Sequence, residues 1–567
     1  MKTLNLHVDY IEWEGLKKAL KKVDELGEQD TSKKKVDECL VVLMAVEKGD
    51  SDSSEMVKRF VGDIKSISDQ IKTKKVVLYP YAHLSKDLGS PEVAMKILGA
   101  FEKDLFSEGF EVFRAPFGYY KSFELKVKGH PLSELSREIR IGGNESEEEF
   151  DSVKLLREIS KSKLDTSKLK DNDHRIIGRQ MDLFSFNEVA PGMVFWHNNG
   201  LVIYNELIEF MRGLMKQRGY EEVRTPQIMD KKLWQISGHW DKYKDNIFLT
   251  EYEKRNFAVK PMNCPGGLLI YKNSPKSYKD LPLKAGEFGI VHRQELSGVL
   301  GGLFRVIQFT QDDAHVFCTE KQLEEEVGKL MDLIDVVYSK FGFKYSIELS
   351  TRPEKRIGSD KIWDKAEDAL ESVLKKRKVK YKINEGDGAF YGPKIDFHLK
   401  DSLGRTWQCG TIQADFSMPE RFELEYTDKD NKKKRPIMLH RAIYGSLERF
   451  IGILIEHLNG RFPTWLAPIQ VRILSFTDRN EEYGKEVIKK LEEAIPNLRI
   501  DSDFTQRTIQ AKVKDAEMMK IPYILTVGDK EQESKSVAVR KGGQRNLETI
   551  KVDDFVENLK KEIIERK

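Results

Sequence analysis

Apolar and polar residues alternate with two different periods in the first part of the chain. "LNLHVDYIEW" alternates like a half-buried strand, and "ECLVVLMA" is a nearly continuous apolar run typical of a buried strand. "SEMVKRFVGDIKSISDQI" has the helical period, "KKVVLYPYAHL" is a further buried strand, and Ser90-Pro91 indicates the start of another helix. "EVFRAPFGYYKSFELKV" indicates two strands around a glycine turn. This alternation predicts one α/β domain over residues 1–143.

A charged stretch that is poor in aromatic residues follows. Ser146 and Glu149 form a capping-box pattern that predicts a helix through about Ile159, and composition indicates a linker over the whole of 144–186. Aromatic content then rises, and strong strand signals between Arg293 and Phe317 are accompanied by amphipathic helices up to "RFPTWLAP". We expect a second large domain over 187–466.

Regular alternation returns in the last part of the chain. The strand patterns "IQVRILSF", "LRIDSDF", "PYILTVG" and "SVAVRK" are interspersed with the helical patterns "NEEYGKEVIKKLEEAI", "TIQAKVKDAEMMK" and "VDDFVENLKKEII". They predict a small α/β domain with a mixed sheet over 467–567.

Composition narrows the class of protein. A chain of 567 residues is too long for one core, and it has no run approaching the ~20 apolar residues of a membrane span. The N-terminus lacks the form of a signal peptide, and four irregularly spaced cysteines without a CxxC pair are typical of a reducing cytoplasm. The net charge of +3 argues against a simple basic wrapping protein, but local basic patches remain compatible with nucleic-acid binding.

Polar side chains recur at strand spacing in the middle of the chain. Arg293 and Glu295 lie two apart and share one face of a strand, and Arg305 follows a glycine-rich loop. Gln311, Asp313 and His315 also alternate on one face. Two arginines and a carboxylate presented by neighbouring strands suit a polyphosphate better than a core. Gly445 to Arg449 opens an apolar helix, which places an arginine beside such a ligand.

These stretches resemble the class II aminoacyl-tRNA synthetases. "EVRTPQI", with Pro226, resembles their motif 1, "HRQE" with "GLFRVIQFTQDDAH" motif 2, and "GSLERFIGILIE" motif 3. "SGHWDKYKDNIF", "MNCPGG", "FYGPKID" and "WQCGTIQADF" are similar to threonyl-tRNA synthetases in particular. Residues 1–143 resemble the archaeal editing domain, which is related to D-aminoacyl-tRNA deacylases. The resemblance implies an α/β and α+β multidomain chain with an antiparallel-sheet catalytic core, an α/β anticodon-binding domain and an N-terminal α/β editing domain.

The resemblance also implies a zinc ion held by Cys264, His315 and His440. Three protein ligands leave a coordination position open, which threonine fills with its amino group and its β-hydroxyl. Valine lacks the hydroxyl and would leave buried polar groups unpaired. Taken singly, each histidine is typical of a hydrogen-bonded core residue and the cysteine of a small buried hydrophobe. Together, in matched motifs, they favour the metal site.

The implied reaction is attack of the threonine carboxylate on the α-phosphate of ATP, which releases pyrophosphate, followed by transfer of the threonyl group from the adenylate to tRNA(Thr). Magnesium is expected with ATP, although its ligands are not legible in the sequence. For ATP, the resemblance assigns the α-phosphate to Arg293, the γ-phosphate to Arg305, the adenine amino group to Glu295 and the adenine faces to Phe309 and Arg449. Lys394 is assigned to the α-phosphate and the threonine carboxylate, and His239 to the transfer step. The amino acid is assigned to Gln311, Asp313 and Tyr391, and the ribose and substrate region to Gln408, Thr411 and Gln413.

Serine has the same amino and hydroxyl pair as threonine, and one missing methyl group is worth only about 1–3 kcal/mol. A second, hydrolytic site is therefore expected. The resemblance places this editing site at Pro80, Ala82, His83, Tyr120, Lys121 and Glu134.

The C-terminal domain is expected to read the anticodon. The resemblance implies that Glu531 and Arg540 contact single-stranded bases by their edges. Lys514 and Lys520 are either backbone contacts or ordinary surface lysines. Motif 1 implies a homodimer.

Three other interpretations stay open at this level. One is an editing-impaired or non-catalytic tRNA-binding paralogue, another is a deacylase fused to a degenerate synthetase, and the third is a prolyl or seryl enzyme of the same class. Intact Cys264, His315, His440, Arg293 and Arg449 argue against the non-catalytic paralogue. The resemblance also argues against a prolyl or seryl enzyme, because those families lack the Cys/His/His set. Two positions depart from the family pattern: Gly267 where "MNCPGH" is usual, and Gly301 where "LHGL" is common.

Overall fold

The computed structural model describes residues 1–20, 32–50, 54–139, 169–401 and 404–567. The chain forms two compact units, residues 1–153 and 154–567. The predicted boundary at residue 143 and the predicted helix through about Ile159 lie outside the described residues. No helix in the described parts is long and apolar enough to cross a membrane.

In its described residues the first unit is a mixed sheet with two α-helices, as the alternation predicted. Its strands are ordered β4-β3-β2-β1-β5, and β6 also pairs with β1. β2, β3 and β4 run parallel, whereas β1 is antiparallel to its neighbours. The strands are β1 Lys2–Lys18, β2 Lys34–Ala45, β3 Lys75–Pro80, β4 Glu111–Arg114, β5 Tyr119–Val127 and β6 Glu134–Glu138, and the helices are Ser54–Ile71, Pro91–Ser107 and the 3-10 turn Ala82–Leu84.

Both faces of this sheet are buried, which explains the continuous apolar runs of β2 and β3. Leu40, Val42 and Met44 pack with the helices, whereas the intervening residues of β2 pack on the opposite face. Ser90 caps the second helix by accepting a hydrogen bond from the Val93 amide, with Pro91 in the first turn.

The second unit is built on an eight-stranded sheet ordered β16-β15-β17-β18-β21-β14-β13-β9. The five strands from β17 to β13 are antiparallel, as the resemblance to class II synthetases implied. The strands before the C-terminal region are β7 Phe184–Ser185, β8 Phe195–Trp196, β9 Glu221–Glu222, β10 Ile228–Asp230, β11 Leu249–Tyr252, β12 Arg255–Val259, β13 Leu283–His292, β14 Gln308–Cys318, β15 Lys344–Ser350, β16 Tyr381–Asn384, β17 Lys394–Lys400, β18 Thr406–Asp415, β19 Tyr426–Thr427, β20 Lys433–Lys434 and β21 Ile437–Ala442.

Helices cover one face of this sheet and leave the other for the candidate site. The apolar helices Leu323–Lys340 and Leu447–His457 pack against the back of β14, β18 and β21 through Val316, Ile412 and Leu439. The helices of this region are His174–Gln180, Asn198–Gln217, Lys231–Ile236, His239–Tyr243, Cys264–Lys272, Leu323–Lys340, Asp360–Lys376, Ser417–Arg421 and Leu447–His457.

Residues 169–186, which composition placed in the linker, contribute to the core of this unit. Ile177, Met181 and Leu183 are buried in the same cluster as the helix Leu447–His457. Charged neighbours in the sequence hide this short apolar pattern.

The C-terminal region is a mixed sheet ordered β23-β22-β24-β25-β26. β22, β23 and β24 are parallel, and β25 and β26 are antiparallel, as predicted for a mixed α/β fold. Its elements are β22 Val471–Ser475, β23 Ile500–Asp503, β24 Tyr523–Val527, β25 Ser536–Lys541, β26 Glu548–Lys551 and the helices Glu481–Ala494, Ile509–Met518, Asp529–Ser534 and Val552–Ile564.

Candidate functional site

Strand register brings four of the singled-out residues into one row across the large sheet. His315 of β14 lies opposite His440 of β21, His440 lies opposite Gln413 of β18, and Gln413 lies opposite Lys394 of β17. Directly opposed residues on neighbouring strands share a face. Residues far apart in the sequence therefore form one continuous polar row.

Cys264 completes a cluster at one end of this row. It is the first residue of the helix Cys264–Lys272, which has proline in its first turn. One ligand atom each from Cys264, His315 and His440 lies within 4.8 Å of the other two, and all three residues are buried. The structure thus assembles the set that the sequence predicted.

The surroundings of this cluster fit a bound cation. Nε2 of His440 contacts Asp415 Oδ2 at 2.9 Å, which leaves Nδ1 as its ligand atom. Nε2 of His315 is buried and has no hydrogen-bond partner among the described residues. Burial lowers the pKa of His315 well below its usual value, and the neutral imidazole is the form that binds metals.

The thiol of Cys264 points to the same conclusion. Burial, with Asp313 and Asp415 nearby, raises its pKa well above the usual value. A thiolate at this position therefore needs a cation beside it. One Cys and two His ligands with room for substrate form the donor set of a catalytic zinc site.

Both departures from the family pattern are placed by the structure. Gly267 lies in the helix behind His315, and a Cβ there would be 3.2 Å from His315 Nδ1. A side chain at 267 would press on the edge of a candidate ligand, so glycine leaves this ring more space. At Gly301 a Cβ would meet no atom within 4 Å among the described residues, so the backbone there tolerates a side chain.

A polar cavity of about 760 Å³ extends from the cluster along the sheet. Burial raises the pKa of Asp313 in its wall, and Asn263 Nδ2 donates to Asp313 Oδ2 at 3.3 Å. Fourteen of the sixteen residues predicted for the synthetic site line the cavity, namely Cys264, Arg293, Glu295, Arg305, Phe309, Gln311, Asp313, Tyr391, Lys394, Gln408, Thr411, Gln413, His440 and Arg449.

Three arginines occupy the wall formed by motifs 2 and 3. The Arg293 guanidinium lies 5.1 Å from the Phe309 ring centroid, and its Nε donates to the Pro261 carbonyl at 3.2 Å. Arg305 pairs with Glu295 at 2.8 Å. Arg449 Nε donates to the Phe304 carbonyl at 2.9 Å. This concentration of positive charge beside aromatic rings suits a nucleoside triphosphate.

Lys394 stands at the other end of the row, between two carboxylates. Its Nζ lies 2.8 Å from Asp396 Oδ2 and 3.2 Å from Asp387 Oδ2. Burial alone would lower the pKa of Lys394, but these carboxylates outweigh it, and the net shift is upward. Lys394 is therefore a charged ammonium group facing the cavity.

The remaining two predicted residues lie behind the cavity wall. His315 is the one member of the metal cluster that is not among the lining residues. His239 is also buried, its ring centroid is 6.0 Å from that of Tyr391, and its Nδ1 contacts Ser237 Oγ at 2.8 Å. Burial lowers the pKa of His239 to about 3, so this imidazole is neutral.

Sequence reasoning missed the acidic residues that orient this site. Asp396 accepts hydrogen bonds from Gln408 at 2.6 Å and from Thr411 at 3.0 Å. Asp415 binds His440 and accepts the Ser417 and Met418 amides at 2.8 and 2.9 Å. Both residues stand inside the motifs "FYGPKID" and "WQCGTIQADF", and their positions on polar strand faces were the available signal.

A second cavity, of about 390 Å³, lies in the first unit at the ends of β2 and β3. Lys121 Nζ donates to the carbonyls of Pro116 at 3.0 Å and Tyr119 at 3.3 Å, and burial lowers the pKa of Lys121 to about 8. Five predicted editing residues line the cavity: Pro80, Ala82, His83, Tyr120 and Lys121. Glu134, at the start of β6 opposite Leu6, is not among the lining residues.

A third cavity, of about 610 Å³, lies in the C-terminal region. It brings Glu531 and Arg540 together with Phe476 and Leu547, two exposed apolar side chains. An acidic and a basic group beside exposed apolar surface suit an unstacked base. Lys514 is exposed on the helix Ile509–Met518. Burial and Arg461 lower the pKa of Lys520, which is half-buried.

Comparison with known proteins covers all three regions. A model of the tRNA synthetase class II core domain (G, H, P, S and T) matches residues 248–458. A model of the Archaea-specific editing domain of threonyl-tRNA synthetase matches residues 1–139, and an anticodon binding domain model matches residues 470–562.

Curated relatives carry the name threonine–tRNA ligase. The protein of Desulforamulus reducens is 52% identical over 394 residues, which are 70% of this chain and 62% of the relative. The protein of Caldanaerobacter subterraneus is 54% identical over 70% of this chain and 61% of the relative. The chain thus spans somewhat more than three fifths of the length of these relatives.

Solved structures are similar as well. The RNA binding domain of threonyl-tRNA synthetase from Cryptosporidium parvum superposes with a TM-score of 0.67 at 40% identity, covering 69% of this chain and 98% of that one. A putative threonyl-tRNA synthetase from Aeropyrum pernix gives a TM-score of 0.61 at 30% identity, over 68% and 94% of the two chains.

Proposed function

Because this chain belongs to the threonyl-tRNA synthetase family, we propose that it activates L-threonine with ATP and transfers it to tRNA(Thr). The observation that carries the proposal is the buried Cys264, His315 and His440 cluster, which opens onto a cavity lined by arginines. A cavity with one end for a hydroxy amino acid and the other for a nucleotide is what adenylate formation requires.

Threonine is selected at the metal end of the row. A zinc ion, when bound, would supply a Lewis-acidic position for the amino group and β-hydroxyl of threonine. Asp313 and Gln311, on the same strand face as His315, line the space beside it. We assign Asp313 as the acceptor for the substrate hydroxyl proton, and Tyr391 and Gln413 as the remaining walls of this subsite.

ATP binds along the arginine wall, and its reaction needs alignment and charge stabilisation. Arg293 and Lys394 hold the α-phosphate against the threonine carboxylate, and Arg305 holds the γ-phosphate. Phe309 and Arg449 flank the adenine, Glu295 accepts from its amino group, and Gln408 and Thr411, both oriented by Asp396, contact the ribose. Magnesium accompanies the phosphates.

Transfer to tRNA completes the proposed reaction. His239 is neutral and packs beside Tyr391, which lines the cavity, and we assign His239 to the transfer step. Partners are tRNA(Thr) and a second copy of the chain, joined through motif 1. None of the four cysteines is in a disulfide, which suits a reducing cytoplasm.

Threonine-dependent pyrophosphate exchange tests the proposal. We expect exchange with threonine, weaker exchange with serine, and with valine a rate about 10⁴-fold lower, because valine leaves the polar groups of the subsite unpaired. Exchange with proline but not threonine, or no exchange at all, would contradict the proposal. No observation here favours the non-catalytic alternative.

We further propose that the cavity of the first unit hydrolyses Ser-tRNA(Thr). Lys121 carries this step, because its ammonium group lies in the cavity wall and stabilises negative charge on the ester carbonyl oxygen. His83 and Tyr120 line the same cavity, whereas Glu134 remains a prediction from the resemblance alone.

The Lys121→Met variant is expected to deacylate Ser-tRNA(Thr) about 100-fold more slowly, because a charged donor is lost. Since the pKa of Lys121 is about 8, its charged fraction falls as the pH rises from about 7 to about 9, and catalysis above the enzyme-free rate should fall with it. Lys121→Arg, which stays charged, should lack this decline. Serine release from preformed Ser-tRNA(Thr) measures both effects.

Lys126→Met is the matched control, because Lys126 stands on the same strand β5 but pairs with Asp9 at 3.0 Å. It should deacylate at the parental rate. Equal losses in the Lys121 and Lys126 variants, or one pH profile for the parent and Lys121→Arg, would refute the assignment.

Arg540→Ala is expected to raise the KM for tRNA(Thr) about tenfold and to leave pyrophosphate exchange unchanged, because one base contact is worth about 1–3 kcal/mol. Aminoacylation at varied tRNA concentration measures the effect. Lys541→Ala is the control, since the adjacent Lys541 lies over the Tyr523 ring, which is not among the residues lining the cavity. Similar KM values for the two variants would argue against an anticodon role for Arg540.

A further inference from the structure

A buried histidine outside the cavity contacts the loop of motif 2. His174 begins the helix His174–Gln180 and is only 1% exposed. Its Nδ1 lies 2.8 Å from Glu456 Oε1, and its Nε2 accepts a hydrogen bond from the Leu303 amide at 3.0 Å. One imidazole thus joins the motif 3 helix to the motif 2 loop.

These contacts fix the tautomer of His174. A backbone N–H can only donate, so Nε2 is the unprotonated acceptor and Nδ1 carries the proton that is donated to Glu456. Glu456 is held in turn by Arg405 and by the His174 amide at 3.2 Å. Although Asp173, His174 and Glu456 lie close together, both ring nitrogens are occupied, so the cluster is a hydrogen-bond relay and not a metal site.

The turn Gly302–Phe304 is shaped around the imidazole. Gly302 has φ +53, and a Cβ there would lie 2.2 Å from His174 Nε2. The Phe304 ring packs between two other rings, with a centroid distance of 4.3 Å from His174 and 4.4 Å from Trp407. The turn is therefore held against His174 by the Leu303 hydrogen bond and by the packing of the Phe304 ring.

Two nucleotide-site arginines depend on this turn. Arg305 follows it directly and pairs with Glu295. Arg449 donates to the carbonyl of Phe304 at 2.9 Å. A displacement of residues 302–304 would move the carbonyl that holds one arginine and the backbone that carries the other.

We propose that His174 is a positioning residue for ATP binding, which acts through the Leu303 amide on the turn that places Arg305 and Arg449. This inference rests on the proposed function, since it takes the arginine wall as the nucleotide site. His174 itself is not among the residues lining the cavity.

Two substitutions separate the two contacts of the ring. His174→Asn places an amide near Nδ1 and keeps the bond to Glu456, but it has no acceptor for Leu303. His174→Gln reaches the position of Nε2 with its carbonyl oxygen and retains the acceptor. We expect His174→Asn to raise the KM for ATP about tenfold, the equivalent of one hydrogen bond, and to leave kcat and the KM for threonine nearly unchanged. The Tm should fall slightly, because the buried Leu303 amide loses its acceptor. His174→Gln should return the KM to within about twofold of the parent.

His398→Asn is the matched control, because it removes another histidine whose ring lies close to a glutamate, with His398 Nε2 3.3 Å from Glu348 Oε2, on strand β17. It should leave the KM for ATP unchanged. The proposal would be overturned if His174→Asn left the KM for ATP unchanged or if His174→Gln failed to restore it. It would also be overturned if His174→Asn impaired everything to the same degree, with kcat and Tm lowered and both KM values raised. If the parent shows no threonine-dependent exchange, the proposed function fails instead, and equilibrium binding of ATP to parent and variants still decides the role of His174.

Discussion

Replacing Cys264 by alanine is expected to release the bound zinc and to reduce threonine-dependent pyrophosphate exchange by at least about a thousandfold. The Cys264 sulfur is one of the three proposed ligand atoms in a buried cluster. Without it, the two remaining imidazoles bind the ion weakly, and the subsite loses the group that holds the amino and hydroxyl functions of threonine. Several kcal/mol of charge stabilisation correspond to this loss of rate. Zinc content by mass spectrometry and exchange by labelled pyrophosphate measure the two effects separately.

Cys318→Ala provides the matched control. Cys318 is a buried free thiol at the end of the strand that carries His315, but it is not part of the metal cluster. Both substitutions remove one buried sulfur atom and should cost similar stability. Zinc and activity lost only in Cys264→Ala indicate a ligand. Parental zinc content in Cys264→Ala, or equal loss in both variants, would refute the proposed site.

Most of the secondary structure could be predicted from the sequence, because the period of apolar residues reflects which side of each element is buried. The pattern "VDDFVENLKKEII" coincides with the helix Val552–Ile564. The helix Asp529–Ser534 and strand β26 were not predicted, because six and four mainly polar residues hold too little of a repeating pattern. The capping pattern at Ser90 succeeded because its two signals, the cap and the proline, are adjacent in the sequence.

The candidate site could be predicted only in part from the sequence. Alternation placed Gln311, Asp313 and His315 on one face, but no local pattern gives the register that sets His315 opposite His440. The resemblance supplied that partnership. Asp415 and His174 were missed because their importance lies in contacts with residues 25 and 282 positions away. Contacts between residues so distant in the sequence form only in the packed fold, and no repeating pattern in the sequence indicates them.

Arg293→Gln is expected to lower kcat for pyrophosphate exchange about a thousandfold while changing the KM for ATP less than about fivefold. We assign Arg293 to the α-phosphate, where negative charge develops as the threonine carboxylate attacks, and an arginine at such a position is worth about 10³ or more. An effect on kcat more than on KM identifies an interaction made mainly in the transition state. Exchange kinetics at varied ATP and threonine concentrations measure both constants.

The geometry explains why lysine should not substitute fully for Arg293. Its guanidinium lies over the Phe309 ring while Nε donates to the Pro261 carbonyl, and a lysine ammonium cannot reproduce this planar arrangement. Arg293→Lys should therefore recover only part of kcat. Arg377→Gln, which breaks an exposed pair with Asp332, serves as the control and should keep parental rates. A higher KM for ATP with an unchanged kcat would instead show that Arg293 contributes to ground-state binding. Pro261 lies in "KPMNCPGG", the segment that also contains Cys264, so one short segment both supplies a proposed zinc ligand and holds the arginine that we assign to the α-phosphate.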